Sequence, residues 1–149
     1  MFSHVMIGTN DLEKAKAFYD ALLGTLDVRP AKVDRHRIFY FTKTGTFSVS
    51  KPINGQPTTP SNGGTIGFMA NSPEQADAWH AAGVANGATS CEDPPGIREG
   101  AAGKLYLAYL RDASDRDVEK IVGWVRRSRN PPSFLRGGGL RLRLTHPTQ

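Results

Sequence analysis

Cysteine is nearly missing from this chain: among 149 residues, Cys91 is the only one. An internal disulfide and a thiolate cluster are therefore excluded. Cys91 has no adjacent histidine or basic residue, so it is a poor nucleophile. No apolar run approaches the length needed to cross a bilayer. A strand pattern begins at residue 3, where a signal peptide would place an apolar core. These absences lead to an expected cytoplasmic location with no membrane partner. Acidic residues are missing from 126–149, a segment that carries Arg126, Arg127, Arg129, Arg136, Arg141 and Arg143. That segment is +6 within a chain of +5, which leaves −1 for the remainder. A nearly neutral body with a basic appendage argues against nucleic acid as the partner.

What is present has an order. The stretch SHVMIGTNDLEKAKAFYDALLG, residues 3–24, starts with an apolar run that reads as a strand, with His4 at its start. Asn10 or Asp11 caps a following helix. Leu12, Ala15, Phe18, Tyr19 and Leu22 recur at helical spacing, and Gly24 is expected just past the helix end. Residues 26–34 suggest a ragged edge strand that tolerates Pro30. RIFYFT (37–42) and TFSVS (46–50) read as a hairpin around Lys43-Thr44-Gly45. His36, near a strand start, reads as a surface or rim group. The order is βαβββ.

Residues 51–64 hold three prolines, three glycines and two asparagines, and so read as a linker. The second half repeats the first. TIGFMA (65–70) is a strand. Ser72 caps a helix with Pro73 at its first position, and Trp79 and His80 read as packing and surface groups. Ala88–Cys91 suggests a short strand, Asp93–Gly96 and Gly100–Gly103 suggest turns, and KLYLAYL (104–110) alternates as a strand. Residues 118–125 close the series. The expectation is an α+β fold: two βαβββ modules forming one open, curved mixed sheet around a cleft. The modules span about 1–50 and 65–125, and 126–149 form a basic, flexible extension.

The opening resembles vicinal oxygen chelate proteins, the superfamily of glyoxalases, bleomycin-resistance proteins and extradiol dioxygenases. His4, Asp11-Leu12, Ala15, Phe18-Tyr19 and Leu23-Gly24 carry the likeness, supported by 63–88 and 104–112, over roughly residues 1–122. The resemblance implies four strand positions that, in metal-binding members, ligate one divalent ion. They fall here on His4, Ser48, Thr65 and Glu119. Ser48 and Thr65 are poor ligands for Zn, Ni, Mn or Fe, so His4 and Glu119 remain as metal candidates, with His36 or Glu92 as possible displaced donors. The run 112–117 lacks the proline and glycine usual before the final family strand; if the pattern diverges after Arg111, Glu119 is a chance match.

The expected function is binding of a small organic molecule in the inter-module cleft with no tightly held metal, by a homodimer, with His4, Phe47, Phe68, Tyr106 and Tyr109 as pocket candidates. No cofactor is expected. One alternative is a divalent-metal-dependent lyase or isomerase resembling lactoylglutathione lyase. The other is an interaction protein acting through its basic tail.

Overall fold

The computed structural model of the chain describes residues 2–59, 61, 63–101, 103–113 and 120–125. Glu119 and the basic segment 126–149 lie outside them. The first module runs β1 (His4–Gly8), α1 (Leu12–Gly24), β2 (Lys32–Asp34), β3 (Arg37–Phe41), β4 (Thr46–Ser50). The second runs β5 (Thr65–Ala70), α2 (Pro73–Ala85), β6 (Thr89–Ser90), β7 (Gly96–Gly100), β8 (Gly103–Arg111), β9 (Lys120–Val125). The expected fold class is present: two βαβββ-like modules whose mixed sheets surround a cleft. Strand pairing stays within each module, giving one sheet of order β1-β4-β3-β2 and another of order β5-β9-β8-β6 with β7 also on β8. In each sheet the first strand lies parallel to the last one and forms an edge.

Local chemistry sets the helices. Asp11 caps α1 by accepting from the Lys14 amide, and Ser72 does the same for α2 with Gln75. Gly24 is the last helical residue of α1 and does not break the helix. The chain turns at Asp27, whose φ is 60°, while the Val28 amide donates back to the Leu23 carbonyl. Aspartate tolerates that left-handed conformation because its side chain is short and polar. The segment around Gly96 is likewise more than a turn. Gly96–Gly100 forms β7 on the edge of β8. Its sequence, GIREG, carries no apolar alternation, so the strand depends on its neighbour's free edge. The final strand, β9, is present although the run 112–117 contains no proline or glycine.

The two modules share one core. It includes Tyr19 and Leu22 from α1, Tyr40 and Phe47 from the first sheet, Trp79 from α2, and Leu110 and Ile121 from the second sheet. Helix α1 packs on α2, and Gly83 makes that close approach possible. A Cβ there would lie 2.2 Å from Leu110 Cδ1 and 3.1 Å from Leu22 Cδ1. Gly123 has the same function under Trp79, whose ring is 2.8 Å from where a Cβ would stand. A polar contact joins the modules too: Tyr19 Oη donates to Asp112 Oδ2 at 2.5 Å, both groups buried. Within the first module, Asp20 accepts from Lys16, the Ala31 amide and Tyr40. Burial alone would raise the Asp20 pKa, but these hydrogen bonds outweigh it and hold the carboxyl below its usual value.

Tyr19→Phe is expected to lower global stability by about 1.5–3 kcal/mol, because it leaves a buried carboxylate short of one donor. Urea unfolding measures this as a lower midpoint with an unchanged slope. An unchanged midpoint means that the hydroxyl does not couple the modules.

Candidate functional site

Side-chain alternation assigns each strand residue to the helix side or the helix-free side of its sheet. In the first sheet Ile7, Phe47, Val49, Ile38 and Tyr40 are in the core. Their alternates therefore share the other face in three cross-strand rows: His4–Thr46–Phe41, Met6–Ser48–Phe39–Lys32, and Gly8–Ser50–Arg37–Asp34. In the second sheet the equivalent rows are Thr65–Lys120–Arg111–Thr89, Gly67–Val122–Tyr109, and Met69–Trp124–Leu107–Gly96.

The sequence candidates divide between these faces. His4 is exposed on the helix-free face, with Nδ1 2.9 Å from Ser3 Oγ. Ser48 is fully buried, and its hydroxyl donates to the Val5 carbonyl at 3.0 Å. Thr65 is exposed beside Lys120. Tyr109 is half-buried on the helix-free face, and Lys120 Nζ lies 4.6 Å above its ring while also bonding the Glu92 carboxylate. The other three candidates point the opposite way. Phe47 and Phe68 meet edge to face at 5.2 Å inside the shared core, where their strand parity puts them. Tyr106 lies on the helix side and donates its hydroxyl to Asp77 of α2. That hydrogen bond, with a smaller contribution from burial, pushes the phenol up to about 12.

The displaced donors do not converge on His4. Glu92, held in a left-handed conformation, is bonded to Lys120. His36 lines an open hollow of about 410 Å³ with Asn10, Asp11, Leu12, Glu13, Arg35 and Lys51, next to the start of α1. Cys91 is half-buried at the edge of the second sheet. Among the described residues no group of three or more His, Cys, Asp or Glu is arranged to hold a metal ion. Of the four implied ligand positions, the described ones supply one exposed imidazole and two hydroxyls, one of them committed to a carbonyl; hydroxyls are poor ligands for Zn, Ni, Mn or Fe, and Glu119 lies outside the described residues. Also among the described residues, no helix is long and apolar enough to cross a membrane.

Sequence reading passed over Arg37 and Phe39 and left Phe41 between core and cleft, although the alternation in RIFYFT contains the signal. Once Ile38 and Tyr40 go to the core, those three must share the helix-free face. Phe39 and Phe41 stack there at 5.9 Å with 15° between ring planes.

The sequence profile of the glyoxalase/bleomycin resistance protein/dioxygenase superfamily matches residues 1–118. Among solved structures, a glyoxalase/bleomycin resistance protein from Albidiferax ferrireducens T118 is 61% identical, with a TM-score of 0.81 over 85% of this chain and 99% of that one. A glyoxalase-related enzyme from Fulvimarina pelagi is 16% identical, with a TM-score of 0.64 over 85% of this chain and 88% of that one. A lactoylglutathione lyase from Agrobacterium tumefaciens is also 16% identical, with a TM-score of 0.57 over 84% and 92%. The last two are likenesses of fold alone. No protein of curated function matches the sequence.

Asp77→Asn is expected to bring the Tyr106 titration down from about 12 toward 10, because the carboxylate that disfavours the phenolate is gone. Carbon NMR of ring-labelled tyrosine measures it. An unmoved titration means that Asp77 does not govern the phenol.

Proposed function

The chain belongs to the glyoxalase/bleomycin resistance protein/dioxygenase superfamily, and on that premise we propose that it binds a small organic molecule against the helix-free faces of its sheets, without a tightly held metal. The observation that carries this reading is Ser48. At a position where the family resemblance implies a ligand, the chain has a buried, neutral hydroxyl already spent on the Val5 carbonyl. A hydroxyl brings neither the charge nor the basicity of a carboxylate or imidazole, so cation affinity falls steeply. With Thr65 also neutral, His4 is left as an exposed rim group that hydrogen-bonds ligand rather than metal. The lyase or isomerase alternative needs a charge-stabilising ion beside its substrate oxygens, and the described donor set offers no such ion a seat. The chemistry is unassigned, and no reaction step is derived.

The walls suit a partly apolar guest. Met6, Phe41 and Met69 are exposed on the helix-free faces, and Tyr109 and Trp124 are half-buried there. Polar groups among them, such as His4 and Lys120, supply orientation. A homodimer is part of the same proposal: among the described residues β1 and β5 each end a sheet with an unpaired edge, and Val5, Met6 and Met69 are exposed on those strands.

Elemental analysis after purification in medium supplemented with Zn, Ni, Mn and Fe is expected to find less than one equivalent of any of them. His4→Ala is expected to leave that value and the fold unchanged. One tightly held equivalent that disappears in His4→Ala overturns the metal-free reading. Light scattering is expected to give twice the mass of the chain, and a monomer at working concentration removes the dimer.

A further inference from the structure

Arg37, on the first sheet, has no hydrogen-bond or ion-pair partner among the described residues. It stands half-buried on the helix-free face of β3, and its Nε is completely buried with no hydrogen-bond acceptor among the described residues. Asp34 lies directly across the β2–β3 ladder without pairing with it. Ser50, its neighbour on β4, turns its hydroxyl to the Lys51 carbonyl instead. Four described cations find carboxylates: Lys16 with Asp20, Arg98 with Asp93, Lys104 with Glu99 and Lys120 with Glu92. A guanidinium N–H that is removed from water and given no acceptor bears its whole desolvation penalty, so the fold keeps this one at a cost.

The surroundings indicate what repays it. Phe39 and Phe41 follow Arg37 on the same face at two-residue steps, which spaces the three side chains about 7 Å apart along the strand. The two rings stack nearly parallel, and Phe41 remains 54% exposed. Lys32 Nζ lies 5.8 Å over the outer ring. At the other end, Thr58 of the linker is packed on Gly8, in the same cross-strand row as Arg37. The strip is open over the rings. Nε itself is closed to a ligand, so the edge a guest reaches is the pair of terminal amino groups, which are not buried; a carboxylate accepts two parallel N–H bonds from that edge, and a planar body attached to it lies along the aromatic pair.

The geometry points to Arg37 as the recognition group for a planar or aromatic carboxylate, with Phe39 and Phe41 stacking on its ring. This inference rests on the reading of the helix-free face as a ligand surface. The test uses the full chain and two probes of the same shape, benzoate and benzamide. Calorimetry is expected to show benzoate binding at least about tenfold tighter than benzamide, the worth of a charge-assisted hydrogen bond. Arg37→Met is expected to bind the two alike, and Arg35→Gln, at the hollow beside α1, is expected to keep the preference. In nitrogen-edited NMR the Arg37 Nε–H resonance is expected to move with benzoate and not with benzamide. If Arg37→Met does not fold, the two probes on the wild-type chain and the Nε–H resonance still decide. Equal binding of both probes to the wild type, a preference retained in folded Arg37→Met, or an unmoved Nε–H each overturns the assignment. Equal binding leaves the small-molecule reading standing; binding of neither probe removes both.

Discussion

Everything in this molecule depends on two helices being allowed to touch. Helix α1 of one module packs on α2 of the other, and buried residues of both helices join one core. The approach is set at Gly83, where a side chain would strike Leu22 on one module and Leu110 on the other. Tyr19 then reaches across to Asp112. The apolar contact supplies most of the attraction, since it is non-directional and scales with area. The hydrogen bond adds direction, because a buried carboxylate is satisfied only in one relative placement of the modules. With the helix sides of both sheets consumed by this union, the helix-free faces are what remains for a ligand.

The architecture was legible in the sequence because it is written in periodicity and capping. The helical spacing of Leu12, Ala15, Phe18 and Tyr19, the caps at Asp11 and Ser72, and the alternation in TFSVS all act within a few residues. The details that escaped are those decided elsewhere in the chain. Strand β7 has no alternation of its own and exists because β8 offers an edge. The end of α1 is marked by Asp27 in a left-handed conformation, which glycine at position 24 obscured. The direction of Phe47, Phe68 and Tyr106 follows from parity relative to core neighbours, and aromatic character alone does not reveal it. Arg37 was hidden for another reason: a missing partner is a property of the assembled face, and no local pattern records it.

The same parity explains why the family resemblance predicted fold better than chemistry. A strand preserves its packing through one set of alternate residues and its function through the other. Here the core set, from Ile7 to Ile121, retains what the fold requires. The opposite set carries hydroxyls at Ser48 and Thr65, where the family resemblance implies metal ligands. A chain can thus belong to its superfamily by its core while its open faces are left to vary.

The linker between the modules has a consequence for inheritance of shape between copies. Its Thr58 amide is bonded to Asn10 Oδ1 at 2.8 Å, and its side chain fills the space that a Cβ on Gly8 would need. The connection is therefore fastened to the first module and is no free tether. Proteins built from two similar halves are prone to exchange a half with a second chain, at little enthalpic loss, when the hinge is loose. In this chain the hinge must first be peeled from the end of β1 and from the residue that precedes the cap of α1. That anchorage opposes the exchange of a second module between chains, because any hinge at or before Thr58 has to break it first.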